Sequence, residues 1–343
     1  MDFATFKKLV GFYGRFLVSF SAIGYRARAL TWRPLPRDFK GQTWIVTGAT
    51  AGIGRAVVEG ATQRGATVLA LARSREKLDA LVRSSSGPGR VIPLVVDLSL
   101  VADTRRAAAE IRAQGARVDV LVNNVGLLLD DLMTTAEGFE TSYATNLLTH
   151  WVLTEALLQA AALAPHATII EMSSGGMYNA PLTLDYMGIK EPRKYRGVYA
   201  YAVHKRGQAE LVKYWQARHG ASGLRCYVMH PGWADTDGVK TAMPNFRRRL
   251  RTVLRDSAQG ADTALWLAAT RPTNAGPEAF WFDRAPRAAH AFPHTVKSKY
   301  TPEDLAAFLA KEAATVGDVE LRVGQAAPAH PAPAPFALPA QQP

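Results

Sequence analysis

Short apolar segments and longer amphipathic segments alternate along most of the chain. The apolar segments have the length of β-strands, and they are Thr43–Thr47, Ala66–Ala72, Val91–Val96, Val118–Val122, Thr168–Met172, Arg225–His230 and Ala279–Phe282. Between them, apolar residues recur at helical spacing, most clearly in Ala102–Gln114, Glu137–Leu163 and Ala200–Arg218. Strands without a polar face are typical of a sheet that is buried on both sides. The pattern therefore predicts the α/β class, with a single doubly wound Rossmann-type parallel sheet of about seven strands and helices on both faces.

The chain of 343 residues divides into four segments. Residues 1–38 combine aromatic and basic residues at near-helical spacing, which predicts an amphipathic N-terminal helical segment. Residues 39–290 contain the α/β pattern, and residues 291–318 are predicted to form a helical extension. Residues 319–343 are rich in Ala and Pro, and this composition predicts a disordered tail.

The N-terminal segment allows two interpretations. Its longest stretch without charge, from Phe16 to Tyr25, has ten residues, whereas a membrane-spanning helix needs about 20. Asp2 and Arg15 also argue against a secretory signal peptide, which has a basic start and an uninterrupted apolar core. An amphipathic helix remains, either packed on the body of the protein or lying in a membrane interface.

Composition narrows the class of protein. The chain is 48% hydrophobic and 20% charged, which excludes a wholly disordered protein and a polytopic membrane protein. A single cysteine, Cys226, excludes an intramolecular disulfide and a cysteine-built metal site. The eight histidines show no ligand spacing, so no metal is expected. We therefore expect a cytoplasmic protein that does not depend on a metal ion.

The net charge of +12 favours an acidic partner. A dense basic run at 246–255 forms either a solvated face or, together with residues 1–30, a surface for anionic membranes. No nucleic-acid-binding module is recognisable, so nucleic acid is not expected as a partner. A phosphate-bearing cofactor is the third candidate for an acidic partner.

A glycine-rich turn connects the first predicted strand to a helix, with the sequence Thr-Gly-Ala-Thr-Ala-Gly-Ile-Gly from Thr47 to Gly54. Glycine permits positive φ and lets the backbone approach a pyrophosphate, and the helix N-terminus adds free N–H groups. The turn lacks the Gly-Lys-Ser/Thr of a Walker A loop and the spacing of the G-x-G-x-x-G fingerprint. The predicted phosphate cradle comprises Gly48, Thr50, Gly52, Ile53 and Gly54.

Five motifs in this order resemble the short-chain dehydrogenase/reductase family. They are the glycine turn, Asp97-Leu98, Asn123-Asn124-Val125-Gly126, the Tyr-x-x-x-Lys pair at Tyr201 and Lys205, and the Pro-Gly segment at 230–236. Segments 173–177, 230–236 and 259–268 are similar to the branch called dehydrogenase/reductase SDR family member 12. The resemblance implies an oxidoreductase that interconverts an alcohol and a carbonyl with a nicotinamide cofactor.

Four residues carry the catalytic chemistry that the resemblance implies. Tyr201 and Lys205 are four positions apart on a predicted helix and therefore share a face. A lysine cation beside tyrosine is expected to lower the pKa of the phenol. In the family, Tyr201 corresponds to the acid/base and Lys205 to the residue that binds the nicotinamide ribose. Ser174, with Ser173 as the alternative, would hold the substrate oxygen, and Asn146 would anchor a water that joins the lysine to solvent.

The end of the second strand predicts NADP(H) rather than NAD(H). NAD-specific Rossmann folds place a carboxylate there, whereas this chain has Arg73, a cation suited to a 2′-phosphate. Arg55 and Arg75 are expected to assist. Asp97 and Leu98 are assigned to the adenine. The remaining cofactor-binding residues that the resemblance implies are Asn124, Gly126, Tyr201, Lys205, Pro231 and Thr236.

The distance from Ser174 to Tyr201 is 27 positions, longer than in many relatives. The insertion is expected to roof the substrate pocket, so we predict a lid at about 175–198 and 237–256 and a bulky, lipophilic substrate. Many relatives pair subunits through the fourth and fifth helices of the body, which makes a homodimer an expectation. The alternative function is an NADP(H)-binding sensor or scaffold without turnover.

Overall fold

The computed structural model describes residues 16–35, 38–236, 238, 240 and 244–317. The strands are β1 (Thr43–Thr47), β2 (Thr67–Ala72), β3 (Arg90–Val95), β4 (Val118–Asn123), β5 (Leu163–Met172), β6 (Arg225–Met229), β7 (Ala279–Phe282) and β8 (Ala285–Ala288). They form one sheet in the order β3-β2-β1-β4-β5-β6-β7-β8, in which β1 to β7 are parallel. The predicted Rossmann-type sheet is confirmed.

The eighth strand was not predicted. β8 pairs antiparallel with β7 through a tight hairpin in which Asp283 and Arg284 both have positive φ, at 50° and 55°. Its sequence, Ala-Pro-Arg-Ala, is mostly exposed and lacks the apolar run of the buried strands. A strand of this kind leaves little signal in the sequence, because edge strands tolerate proline and charge.

Helices cover both faces of the sheet. They are α1 (Ala22–Ala29), α2 (Gly52–Thr62), α3 (Arg75–Ser84), α4 (Val101–Ala113), α5 (141–159), α6 (Gly197–His219), α7 (Pro244–Leu250), α8 (Ser257–Thr270) and α9 (Pro302–Ala314). Within α5, the segment Ala144–Leu148 is a π-helical turn between two α-helical parts. Side chains of β1 alternate between two cores: Ile45 joins the core under α4, α5, α6 and α9, while Trp44 and Val46 join the core under α2, α3 and α8.

The fourth and fifth helices of the body, α5 and α6, are buried on nearly every side. Helix α9 packs against both of them through Leu305 and Leu309, which are fully buried. Arg105 of α4 donates to the carbonyl oxygens of Ala313 and Val316 and so fixes the C-terminal end of α9. The chain itself therefore covers the surface on which the homodimer was expected, and a dimer would need another surface.

A buried arginine holds the insertion at 175–198 on the body. Arg206 of α6 is fully buried and donates to the carbonyl oxygens of Met177 at 3.2 Å, Ala180 at 3.2 Å and Ala289 at 2.8 Å. The Tyr178 hydroxyl donates to another carbonyl of the β8 segment, at 2.9 Å. The insertion therefore packs between α6 and the residues that follow β7.

The described part of the N-terminal segment, residues 16–35, packs on the body. Phe20, Ser21 and Ala22 are buried there, which favours the first of the two interpretations for this part. The opposite side of the segment exposes Leu17, Val18, Ile23 and Leu30, at 38%, 61%, 54% and 87%. Residues 1–15 and the predicted tail at 319–343 lie outside the described residues.

Candidate active site

A cleft runs along the carboxyl edge of the sheet, where the ends of the parallel strands converge. Apart from the two assisting arginines, Arg55 and Arg75, each residue that the sequence assigns to the cofactor lines this cleft. They are Gly48, Thr50, Gly52, Ile53, Gly54, Arg73, Asp97, Leu98, Asn124, Gly126, Tyr201, Lys205, Pro231 and Thr236. Residues from five strand-end loops and from helix α6, separated by up to 188 positions (48 to 236), thus face one space.

The glycine turn forms the floor of the cleft. Gly48 and Gly52 have φ of +65° and +52°, a conformation that side chains disfavour. A Cβ on Gly54 would collide with the carbonyl oxygen of Gly48. Helix α2 begins here after Ala51, whose side chain has no oxygen to cap the first N–H groups. These N–H groups fit the phosphates of a dinucleotide.

Thr47 joins the ends of β1 and β4. Its hydroxyl oxygen accepts the backbone N–H groups of Asn124 and Val125, at 2.8 and 2.9 Å. The Asn124 amide in turn donates to the Thr47 carbonyl at 2.8 Å. These bonds fix Gly126, where a Cβ would lie 3.0 Å from Asn146 Oδ1 and 3.2 Å from Lys205 Nζ. A side chain at this position would crowd Asn146 and Lys205, so the absence of a Cβ leaves room for both groups.

Asn146 lies in the π-helical turn of α5. Its side chain accepts the Leu127 N–H and donates to the Leu127 carbonyl, both at 2.7 Å. Its own carbonyl accepts the side-chain amide of Gln208 at 2.8 Å, and π turns often occur at functional sites. Gln208 was missed by sequence reasoning, because a glutamine within a helix gives no signal of its own.

Tyr201 and Ser174 meet at the wall of the cleft. Their hydroxyl groups form a hydrogen bond, and Ser174 Oγ also accepts the Gly176 N–H at 3.1 Å. Ser173 is buried and donates to the backbone carbonyl of Lys205 at 2.8 Å. Of the two serines, Ser174 therefore has the geometry to hold a substrate oxygen. Tyr199 packs against another tyrosine outside the cleft.

The pKa of Tyr201 differs from the sequence expectation. Desolvation raises this pKa above its ordinary value, and the hydrogen bond with Ser174 lowers it only in part. Lys205 Nζ lies 5.5 Å from the centre of the Tyr201 ring and donates to the Met172 carbonyl at 2.8 Å. The expected lowering of the phenol's pKa is therefore not found in the protein alone, where desolvation is the largest influence on this pKa.

Lys205 is buried, and desolvation lowers its pKa to about 8. The negative charge of Glu171, which is also buried, acts in the opposite direction and raises this pKa. Glu171 accepts the Asn123 side-chain amide at 2.6 Å and contacts His150 Nδ1 at 2.8 Å. The other ring nitrogen of His150 faces the Val125 carbonyl at 2.9 Å. The Gln208 side-chain amide also lies 3.2 Å from His150 Nδ1, so three groups fix the orientation of the ring.

The far end of the cleft is basic. Arg73, Ser74 and Lys77 line it together with Asp97 and Leu98. Ser74 caps α3 by accepting the Lys77 N–H at 3.2 Å, which brings Lys77 to the same edge as Arg73. Lys77 was missed by sequence reasoning, although its place in the first turn of a helix after Arg73 was a usable signal.

The expectation that Arg55 and Arg75 assist Arg73 is not supported. Arg55 pairs with Glu59 at 2.7 Å, and Arg75 pairs with Asp79 at 2.9 Å. Neither arginine lines the basic end of the cleft. In each pair, the arginine and its carboxylate partner are one helical turn apart on an exposed helix surface. Each arginine therefore binds its neighbour on the helix and does not reach the cleft.

An apolar cavity adjoins Ser174 and Tyr201. Leu127, Leu128, Trp233 and Phe246 line it, and the last two rings meet edge to face at 5.3 Å between centres. The predicted lid at 237–256 thus contributes Phe246, while residues 237, 239 and 241–243 lie outside the described residues. The insertion at 175–198 supplies no lining residue and does not roof this cavity, because Arg206 holds it against α6.

Comparison with known proteins gives concordant matches. A family model described as short chain dehydrogenase matches residues 42–245. Dehydrogenase/reductase SDR family member 12 of Bos taurus is 34% identical over 284 residues, which cover 81% of this chain and 88% of that protein. Retinol dehydrogenase 13 of Homo sapiens is 30% identical, covering 65% and 71% of the two chains.

The fold has a counterpart among solved structures. An uncharacterized protein from Mycobacterium Paratuberculosis superposes with a TM-score of 0.65 at 24% identity, covering 82% of this chain and 96% of that one.

The family match spans the glycine turn, Asn146, Ser174, Tyr201 and Lys205 in one continuous region. The chain therefore belongs to the short-chain dehydrogenase/reductase family.

Proposed function

We propose that the protein is an NADP(H)-dependent oxidoreductase that interconverts an alcohol and a carbonyl on a bulky, lipophilic substrate. The observation that supports this most is the position of the hydrogen-bonded pair Ser174 and Tyr201. The pair lies where the cleft that fits a dinucleotide meets an apolar cavity, and Lys205 lies next to it. A protein that only binds a nucleotide has no need of this arrangement.

The side chains suggest how a carbonyl is reduced. NADPH, held by the residues of the cleft, would supply the hydride that the carbonyl carbon receives. Tyr201 donates its phenolic proton to the carbonyl oxygen, so that the product is an alcohol and the phenol becomes a phenolate. The phenol is protonated at neutral pH, as an acid must be, and because desolvation raises its pKa, donation of the proton requires stabilisation of the phenolate. Lys205 then stabilises the phenolate, Ser174 holds the substrate oxygen, and oxidation of an alcohol reverses each step.

Replacing Tyr201 tests turnover. We expect Tyr201→Phe to lower kcat about 10²–10⁴-fold, since it removes the acid, while NADPH affinity changes little. The matched control is Tyr199→Phe, which removes a hydroxyl outside the cleft and should leave kcat unchanged. The measurement is NADPH oxidation with aldehydes, ketones, a retinoid and a sterol, beside NADPH binding by fluorescence. A wild-type protein that binds NADPH but converts none of these compounds would favour the sensor or scaffold alternative.

The charge of Lys205 depends on the carboxylate of Glu171. Desolvation holds the pKa of the buried ammonium at about 8, below the ordinary value of 10.5, and the charge of Glu171 opposes this shift. Between these values the unfolded chain binds more protons than the folded one, so this lysine makes stability rise with pH. Removal of the Glu171 charge lowers the pKa of Lys205 in the folded protein further, so the pH range over which stability rises becomes wider.

Glu171→Gln tests this dependence. We expect the pH-dependent rise in the free energy of unfolding from Lys205 to begin below pH 8 in this variant, and near pH 8 in the wild type. The measurement is urea unfolding from pH 6 to pH 10, with each protein compared with its own Lys205→Met version to isolate the lysine. Coincident difference curves for the two backgrounds would show that Glu171 does not act on Lys205.

Three features support NADP(H) over NAD(H). The end of β2 lacks the carboxylate that binds a ribose 2′-hydroxyl, and Arg73 takes its place. Lys77 adds a second cation at the same end of the cleft. A planar guanidinium beside an ammonium suits a phosphate better than a sugar hydroxyl.

Arg73→Asp tests the cofactor preference. We expect its ratio of NADPH to NADH affinity to fall at least about tenfold, since the new carboxylate repels a 2′-phosphate and accepts a 2′-hydroxyl. The control is Arg75→Asp, in which the replaced arginine pairs with Asp79 away from the cleft. The measurement is titration of each protein with both cofactors. An unchanged ratio in Arg73→Asp, or tighter NADH binding by the wild type, would contradict the preference.

The cavity and one relative point to a lipophilic substrate. Leucine and aromatic side chains line the space beside Ser174 and Tyr201, and such a lining favours apolar ligands. One relative is named a retinol dehydrogenase, and retinol is a lipophilic alcohol. We infer a substrate with a single polar oxygen and a large apolar body.

A lipophilic substrate is consistent with a cytoplasmic protein that associates peripherally with anionic membranes. No helix in the described part of the chain is long and apolar enough to cross a membrane. Residues Leu17, Val18, Ile23 and Leu30 expose an apolar surface, which we call the apolar strip. Arg26 lies on the same helix, and α7 adds three further arginines. Apolar area combined with basic charge is the pattern of interfacial helices.

Serine substitutions in the apolar strip test membrane association. We expect Val18→Ser with Leu30→Ser to lower binding to vesicles that contain phosphatidylserine, because exposed apolar area is lost and the core is untouched. Sedimentation of the full chain is the measurement, and Val296→Ser, an exposed valine elsewhere, is the control. Deletion of residues 1–30 is unsuitable, since it removes the buried Phe20. Equal sedimentation of all three proteins would contradict the association.

A further inference from the structure

The N-terminal segment lies directly behind the wall of the substrate cavity. The ring of Phe20 is buried and contacts His230, Trp233 and Phe282, with 4.4, 5.7 and 5.1 Å between ring centres. Trp233 itself lines the cavity beside Ser174. One aromatic side chain thus separates the N-terminal segment from the space assigned to the substrate.

Backbone hydrogen bonds reinforce this contact. The Phe20 carbonyl accepts the Trp233 N–H at 2.8 Å and the Nε of Arg255 at 2.9 Å. The Arg255 N–H in turn donates to the Trp233 carbonyl at 2.8 Å. Both backbone groups of Trp233 are therefore fixed, one by Phe20 and the other by Arg255.

A buried ion pair holds the three segments together. The Arg255 guanidinium, only 1% exposed, donates to both carboxylate oxygens of Asp283, at 2.6 and 2.9 Å, and to the Ser19 carbonyl at 3.1 Å. Arg28 donates to the same carboxylate at 2.7 Å. Gly232 has φ of +79°, and a Cβ there would collide with the Arg255 side chain. The N-terminal segment, the Pro-Gly loop and the β7–β8 hairpin are thus joined at one point.

Phe20 also contacts the residue next to Ser174. A Cβ on Gly175 would lie 2.7 Å from Phe20 Cε2, so the backbone and the ring touch. The Gly175 N–H donates to His230 Nδ1 at 3.1 Å. Desolvation and the Arg255 charge lower the pKa of His230, which keeps Nδ1 free to accept. Phe20 therefore packs behind Ser174 as well as behind Trp233.

We propose that Phe20 is a positioning residue that sets the width of the substrate cavity and the place of Ser174. The proposal deepens the proposed function and rests on it. Without the ring, Trp233 moves into the vacated space and the cavity widens. A bulky apolar substrate then loses contacts with the wall, whereas a small one loses little. The N-terminal segment is thus part of the active site, although none of its described residues lines the cavity.

The experiment compares Phe20→Ala with Phe39→Ala. Phe39 is equally buried but packs on Trp44 in the other core, at 4.9 Å between ring centres. Both variants lose one large core side chain and should lose similar stability. We expect Phe20→Ala to lower the ratio of kcat/KM for a bulky over a small carbonyl compound at least about tenfold. Phe39→Ala should keep the wild-type ratio, and Phe20→Leu should restore most of it.

A second measurement does not depend on turnover. Amide hydrogen exchange in segments 174–176 and 230–234 should increase in Phe20→Ala and stay at the wild-type rate in Phe39→Ala. Equal changes in both variants, or no change in Phe20→Ala, would overturn the positioning role. If Phe20→Ala does not fold, Phe20→Leu gives the same comparison with a smaller effect. A wild type that reduces no carbonyl compound would refute the proposed function, while hydrogen exchange still decides the role of Phe20.

Discussion

An ammonium group kept inside the protein is the constraint on which the candidate site depends. Burial of Lys205 is costly unless its protons find acceptors and its charge finds a counterpart. The Met172 carbonyl at the end of β5 accepts one proton, and the carboxylate of Glu171 lies in the same strand. Gly126 leaves the space that the ammonium and Asn146 require. The end of β5, Gly126 and the π turn of α5 therefore all contribute to the environment of the buried ammonium.

Desolvation shifts the pKa values of Tyr201 and Lys205, the proposed catalytic pair, in opposite directions. It raises the pKa of Tyr201 and lowers that of Lys205, so both shifts favour the uncharged form. Burial alone therefore makes proton release from the phenol less favourable, so the site depends on interactions that keep Lys205 charged.

The sequence predicted those features that depend on neighbours along the chain. The seven parallel strands were found because apolar runs mark them, and the glycine turn because it follows a strand and precedes a helix. The NADP(H) preference and the catalytic roles remain predictions. Features set by contacts between distant residues were missed or wrong. The sign of the Tyr201 pKa shift depends on burial, and the path of the insertion at 175–198 depends on Arg206.

Two further features could not be predicted from local sequence patterns, because they depend on contacts or side-chain directions in the folded chain. Phe20 and Trp233 are 213 positions apart, and no periodicity relates them. The choice between Ser173 and Ser174 needed the direction of each side chain, since adjacent residues on a strand point to opposite faces. The position of Lys77 could have been predicted, because the first turn of the helix that follows β2 lies at the carboxyl edge of the sheet.

The packing of α9 on α5 and α6 affects how stability responds to dilution. A surface that is covered by a second subunit becomes exposed at low protein concentration, since association follows mass action. Here Leu305 and Leu309 belong to the same chain as the helices that they cover. Their contribution is intramolecular, so the architecture around Lys205 and Asn146 persists however few molecules the cell contains.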